Sequence, residues 1–179
     1  MKYLKIFTVL FALILVFSTN DANSQSRRRA RKKANLETVQ WRYEVQGVGT
    51  GREGTYLLKV WSYSKSPQVA IEQAKKNAVH GIIFKGYVGV KQGVSTQKPL
   101  VNSLVAAKEH EQFFKKFFAD GGDYMKYVSM ATDGAVAASD RMKISKKEFK
   151  IGVVVSVRKD ELRKELERQG IIKGLSSMF

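Results

Sequence analysis

The sequence predicts a single α+β domain in which a mostly antiparallel sheet carries two or three helices on one face. Residues 38–48 and 55–64 alternate apolar and polar side chains around a glycine-rich turn, which is typical of a β-hairpin. The apolar run 151–155 is typical of a central strand buried on both faces. Helical patterns separate and follow these strands, so the predicted order is strand, strand, helix, strand, helix, strand, strand, helix.

The hairpin has the clearest pattern. In the second strand alternate residues are predicted to face opposite sides of the sheet. Tyr56, Leu58 and Val60 form one set, and Leu57, Lys59 and Trp61 form the other. The turn, with Gly49, Gly51 and Gly54, matches a nucleotide-phosphate fingerprint in spacing. In a dinucleotide-binding protein a helix would follow, whereas here a strand follows, and the chain has no His-Arg-Asp or Asp-Phe-Gly of a kinase. We therefore interpret these glycines as turn residues.

Two helices are predicted in the middle of the domain. Ser66 and Pro67 suit the start of the first helix, and Ala70, Ala74 and Ala78 form a stripe of small residues that would let it lie close to the sheet. A third strand is expected over 82–90 and a loop over 92–102. The second helix is expected over 103–119, ended by two glycines.

The last third of the chain is predicted to return to the sheet. A short strand is expected over 124–130, a loop over 131–140 and a strand within 142–157. Asp160 and Glu161 suit the first turn of a third helix, which Gly170 would end.

The first residues predict export. Lys2 and Lys5 precede the apolar run 6–17, and small residues follow at 22–24, which together describe a signal peptide cleaved after Ser24. The run is shorter than the roughly 20 residues of a membrane span. We therefore expect residues 1–24 to be a leader, 25–35 a basic arm and 36–179 one domain, located in the periplasm or at the outer membrane. A leader retained at the inner membrane is the alternative.

Charge indicates an anionic partner. The chain carries 32 Lys and Arg against 16 Asp and Glu, a net charge of +16. Six cations lie within seven residues of the arm, which we expect to be disordered: Arg27, Arg28, Arg29, Arg31, Lys32 and Lys33. Such a segment would bind lipid headgroups, lipopolysaccharide phosphates or an acidic protein, or it would be a solvated tail. Export disfavours nucleic acid as the partner.

The chain has no cysteine, and this excludes several functions. Disulfides, a thiol nucleophile, cysteine-based zinc sites and the lipid-acceptor residue of a lipoprotein all require one. The domain must be held together by its core alone.

The residues 113–118 are a second candidate interface. This stretch contains four phenylalanines and two lysines, which cannot all lie on one side of a helix: Phe113, Phe114, Lys115, Lys116, Phe117 and Phe118. An exposed aromatic patch beside lysines would mark contact with a protein or a membrane surface. A helix covered on both sides is the structural alternative.

No set of residues predicts catalysis, a metal or a cofactor. His80 and His110 each lack a partner at helical spacing, and the loop carboxylates are irregularly spaced. His80 is expected at a helix end and His110 on an exposed face. No Gly-x-Ser-x-Gly is present. We expect a non-enzymatic protein; a small hydrolase using Asp or His is the remaining alternative.

Two stretches carry a family resemblance. The first is Ala70-Ile71-Glu72-Gln73-Ala74-Lys75-Lys76-Asn77-Ala78, and the second is 149–157 running into the helix at 159–166. Together with the hairpin they resemble exported bacterial envelope domains, namely the twenty-kilodalton Lpp lipoprotein family and the N-terminal domain of flagellar assembly protein T. The resemblance covers about half of the mature chain and transfers no functional residue. It implies a non-catalytic module of a periplasmic or outer-membrane complex.

The sequence therefore favours a structural or assembly subunit of an envelope complex. The partners would be other subunits of that complex, with a contact to anionic lipid or lipopolysaccharide, and the mature form would have no transmembrane span. A binding module for an anionic envelope ligand, held by the basic arm, is the alternative.

Overall fold

The structure is a computed structural model that describes residues 25–34, 36, 40–51, 54–132 and 134–174. The predicted leader lies outside the described residues, as does the end of the chain from residue 175. The helices are α1 (25–34), α2 (Pro67–Phe84), α3 (Leu104–Glu109), α4 (Glu111–Phe117) and α5 (Lys159–Arg168). The strands are β1 (Tyr43–Thr50), β2 (Thr55–Ser64), β3 (Val88–Gly89), β4 (Val128–Met130), β5 (Arg141–Ser145) and β6 (Glu148–Arg158). The segments Asp123–Tyr127 and Ala138–Asp140 are 3₁₀ helices.

The described strands form one six-stranded sheet, and the predicted α+β class is confirmed. Their order is β3-β1-β2-β6-β4, with β5 pairing the other part of β6. All pairs are antiparallel except β1 with β3, which is parallel. The long strand β6 therefore lies at the centre of the fold, beside β2 on one side and beside β4 and β5 in turn on the other.

The predicted faces of the hairpin are confirmed. Strand β2 has the predicted bounds, and Leu58 and Val60 are fully buried beneath the helices, while Lys59 and Trp61 lie on the opposite face. Strand β6 buries Ile151, Val153, Val155 and Val157 in the same way, but Val154 is only half-buried. The predicted burial on both faces holds at Gly152, which lies beneath the Trp61 ring, but not at Val154, because the helices cover the other face of the sheet.

Helix α2 is the main cover of the sheet. The predicted stripe of Ala70, Ala74 and Ala78 is completely buried. At Gly81 a side chain would come within 2.9 Å of the Val45 methyl group, so small residues permit the close approach. The helix continues to Phe84, and the strand predicted over 82–90 was wrong at its start, leaving only β3. Short apolar runs such as Ile82-Ile83 suit a buried helix as well as a strand.

Other boundaries also differ from the prediction. The helix expected over 103–119 is two helices, α3 and α4, that meet at His110. The strand expected over 124–130 is a 3₁₀ helix followed by the short strand β4. The segment 142–157 is a hairpin of β5 and β6, and helix α5 follows as predicted, with Leu162 and Leu166 fully buried.

The arm is a helix, and the prediction that it is disordered was wrong. In α1, Ala30 and Ala34 are buried and form a small apolar cluster with Val69 at the start of α2. These alanines are four residues apart, so they lie on the same side of the helix. Two small apolar residues among many cations were too weak a signal to reveal this contact. In the described part of the chain no helix is long and apolar enough to span a membrane.

Candidate functional site

The phenylalanine segment does not form an exposed apolar surface. Phe114, Phe117 and Phe118 belong to the main core, and Phe113 is half-buried beside it. Lys115 and Lys116 are exposed. The Phe114 ring meets Phe84 edge-to-face, and the Phe118 ring lies tilted against Tyr124, so these side chains join the α4 segment to α2 and to the following 3₁₀ helix. The expected aromatic interface at 113–118 was therefore wrong, and so was the alternative of a helix covered on both sides, because the phenylalanines lie against the core while the lysines face solvent.

Helix α1 presents most of the predicted basic residues to solvent. The exposed cations are Arg27, Arg28, Arg29, Lys32 and Lys33. Arg31 differs from them because its Nε lies 2.7 Å from Oδ1 of Asp120, in an ion pair between α1 and the segment after α4. We call the exposed group of five the basic face of α1. The sixth cation of the prediction holds the helix in place instead.

Both ends of α1 line open clefts against α2. At the first end, Ser26 and Arg27 line a cleft of about 980 Å³ together with Glu72 and Lys75 of α2. At the other end, Lys33 lines a cavity of about 490 Å³ whose wall includes Asn77 of α2. The basic face therefore continues into concave, polar surfaces at both ends.

The uncovered face of the sheet carries an aromatic and ionic cluster that sequence reasoning missed. The ring of Trp61 lies on Gly152 of β6, where a side chain would come within 2.8 Å of the indole. The ammonium groups of Lys59 and Lys150 lie 4.9 and 5.2 Å from the Trp61 ring centre. Alternation along β2 was the available signal, since it places Lys59, Trp61 and Tyr63 on one face.

Charges on this face are balanced by ion pairs. Lys150 lies 2.7 Å from Glu44, Lys59 lies 2.6 Å from Asp140, and Arg42 lies 2.7 Å from Glu148. Hydrogen bonds from Lys150 and Tyr63 lower the pKa of Glu44, and the bond to Glu44 raises the pKa of Lys150. The cations Arg42, Lys59 and Lys150 of this cluster are thus each paired with a carboxylate, so the cluster attracts anions less than the exposed cations of α1 do.

His80 lies inside α2 rather than at a helix end, so that expectation was wrong. Its ring stacks on Trp41 with ring centres 3.5 Å apart, and its Nδ1 is hydrogen-bonded to the hydroxyl of Tyr43. Burial, with nearby Lys85 and Lys76 adding to it, lowers the pKa of His80 to about 3. Burial also raises the pKa of Tyr43. The pair is therefore neutral at ordinary pH and serves to pack α2 against β1. His110 is half-buried at the junction of α3 and α4, not on an exposed face.

The described residues contain no group of three or more His, Asp or Glu side chains placed to hold a metal ion. Comparisons with protein-family models, curated proteins and solved structures found no match for this chain. The resemblance to the envelope families therefore stays a prediction. The basic face of α1 and the two clefts at its ends are the features from which a function can be argued.

Proposed function

We propose that this chain is a non-enzymatic exported protein of the cell envelope that binds an anionic envelope component through the basic face of α1. The observation that carries the proposal is that Ala30 and Ala34 attach α1 to the domain while the five cations of its basic face are exposed to solvent. This surface offers charge rather than a nucleophile or an acid–base pair. Binding is therefore the role that its chemistry supports.

Attachment of α1 gives the charges a fixed arrangement. A disordered arm would lose conformational entropy when it binds, whereas a helix already held on the domain loses less. Each Lys or Arg near an anionic membrane surface contributes about 1 kcal/mol. Neutralising three of the five exposed cations is therefore expected to weaken binding about 100-fold.

The proposal is tested by replacing Arg28, Arg29 and Lys32 with Gln in one variant. Binding of the purified chain to vesicles of anionic phospholipid and to lipopolysaccharide is measured by sedimentation at low and at high salt. We expect the variant to bind about 100-fold more weakly. The parent protein should itself lose affinity as salt rises, because exposed charges are screened within about 10 Å at 0.1 M salt.

The matched control replaces Lys91, Lys98 and Lys164, which are exposed and lie outside α1, with Gln. It removes the same charge, and we expect it to retain most of the binding. Equal losses in both variants would show that net charge alone attracts the protein. Binding that is insensitive to salt would contradict the proposal as well.

A role as an assembly subunit is a second candidate, and strand β5 favours it. Among the described strands β5 pairs only with β6, so its other edge can accept an extended segment of a partner. Met142 and Ile144 of this strand are 40% and 48% exposed. Recovery of a defined envelope protein that survives high salt would favour this role, since such a contact would not depend on α1.

A further inference from the structure

The hairpin of β5 and β6 carries exposed apolar side chains among cations. Every residue from 141 to 147 is exposed, although β5 is paired with β6 along its length. Met142 is 40% exposed and Ile144 is 48% exposed. The stretch contains no acidic residue, and its cations are Arg141, Lys143, Lys146 and Lys147. We call residues 141–147 the hairpin tip.

Strand pairing places the hairpin tip at the same end of the sheet as the end of β2. Glu148, which follows the tip directly, is next to Phe149, and the partner of Phe149 is Ser64, the last residue of β2. The residue after Ser64 is Lys65, which is exposed. The turn at 146–147 and Lys65 therefore lie at one end of the sheet.

The same end of the sheet adjoins the end of α1. The cavity of about 490 Å³ is lined by residues from both, including Lys33, Leu36, Lys65 and Glu148. Leu36 lies two residues beyond α1 and is 77% exposed, and Lys33 belongs to the basic face. Glu148 is ion-paired with Arg42 at 2.7 Å, so this carboxylate is already neutralised. Exposed apolar side chains thus adjoin the basic face of α1 at this end of the molecule.

A partner strand and a lipid bilayer are the two occupants that the chemistry of this surface suits. Cations on an edge strand discourage pairing with another strand, but they do not account for the exposed Met142 and Ile144 beside them. A bilayer surface accommodates both kinds of side chain. Its anionic headgroups attract the cations, and apolar side chains enter the boundary between headgroups and acyl chains. Charge and exposed apolar surface together therefore favour the bilayer.

We propose that the hairpin tip and Leu36 insert apolar side chains into the surface of an anionic lipid bilayer, next to the basic face of α1. Lys33, Lys65 and the cations of the hairpin tip lie among the headgroups. The inference rests on the proposed function and deepens it, because it identifies the anionic component as the bilayer itself. Insertion requires acyl chains, which a soluble anion lacks, so it can be measured separately from attraction by charge.

The first experiment uses the absence of cysteine, since a single introduced cysteine takes a label at one position. Ile144→Cys is labelled with a nitrobenzoxadiazole group, whose fluorescence rises in an apolar environment. The control is Val88→Cys, because Val88 is 59% exposed and lies on β3, at the opposite edge of the sheet. Both are mixed with vesicles of phosphatidylglycerol and phosphatidylcholine, with and without brominated acyl chains.

We expect vesicles to raise the fluorescence of the label at 144 and brominated chains to quench it, while the label at 88 changes little. No response at 144 to vesicles that bind the protein would overturn the proposal and leave β5 to a partner strand. An equal response at both positions would overturn it as well.

A second experiment measures the contribution of the apolar side chain to affinity. Ile144→Ser should weaken vesicle binding about tenfold, because an apolar side chain no longer leaves water. Val88→Ser removes a similarly exposed apolar side chain and should bind as the parent protein does. Unchanged affinity in Ile144→Ser, or the same loss in Val88→Ser, would contradict the assignment.

The variant with Gln at 28, 29 and 32 separates this inference from the proposed function. If the label at 144 does not insert while that variant still loses vesicle binding, the inference alone is overturned. If the label inserts while that variant binds vesicles as tightly as the parent protein, the proposed function alone is overturned.

Discussion

Among single residues, His80 shows how packing sets protonation. Its ring lies between Trp41 and Phe84, with centres 3.5 and 4.8 Å away, and Tyr43 is hydrogen-bonded to it. Trp41 has a φ angle of 46°, which bulky residues rarely adopt. This backbone conformation accompanies the stacking of its indole on the imidazole. Protonation of His80 would place a positive charge inside this buried cluster and close to the ammonium groups of Lys76 and Lys85, which makes the charged form unfavourable.

The low pKa of His80 predicts a loss of stability in acid. The unfolded chain binds a proton near pH 6.5, whereas the folded chain binds it only near pH 3, so stability falls as the pH is lowered through this window. At pH 5 this group should lower the free energy of unfolding by about 2 kcal/mol relative to pH 7.5. Urea denaturation at several pH values measures the change.

One substitution isolates the contribution of His80. In His80→Asn the side-chain oxygen can still accept a hydrogen bond from Tyr43, but the residue does not titrate. We expect a flatter dependence of stability on pH between 7.5 and 5, even if the variant is less stable at pH 7.5. An unaltered slope in His80→Asn would contradict the account.

At the scale of elements, the sequence pattern predicted the helices and strands in which a regular pattern of apolar side chains packs on one neighbouring layer. The alternation in β2 and the small-residue stripe of α2 were sufficient, because each is repeated over several turns or residues. The junction at His110 and the start of β3 were not predicted, since apolar runs there suit more than one structure. The cavity of about 490 Å³ beside the end of α1 could not be predicted either, because residues of α1, α2, β2 and β6, from distant parts of the chain, line it.

Helix α1 is the element whose attachment most needs a test. Ala30→Asp would place a carboxylate in the contact with Val69, and the cost of burying it should favour release of the helix. Trypsin should then cleave within residues 27–33 at least tenfold faster, because cleavage requires local unfolding. Mass spectrometry of timed digests gives the rates.

The control for that change is Ser26→Asp, which adds the same charge at an exposed position of α1. Its cleavage rate should stay close to that of the parent protein. If the parent protein is itself cleaved within 27–33 as fast as the Ala30→Asp variant, α1 is not attached to the domain. The prediction of a disordered arm would then be correct.

At the scale of the whole molecule, ion pairing distinguishes the open face of the sheet, where cations are paired, from α1, where five cations are exposed. The net charge of +16 was evident from composition, but its effect depends on which cations are already paired. Lys59, Lys150 and Arg42 are paired across the open face of the sheet, and Arg31 is paired with Asp120. The five exposed cations of α1 are concentrated on one helix. They make this helix, rather than the sheet, the expected contact surface.

Hydrogen exchange of the full chain with and without anionic vesicles tests this central claim most directly. We predict that vesicles slow exchange in residues 25–34, and that high salt abolishes the effect. Slower exchange confined to other regions, such as β5 or the open face of the sheet, would contradict the account, as would vesicle binding that leaves exchange in α1 unchanged.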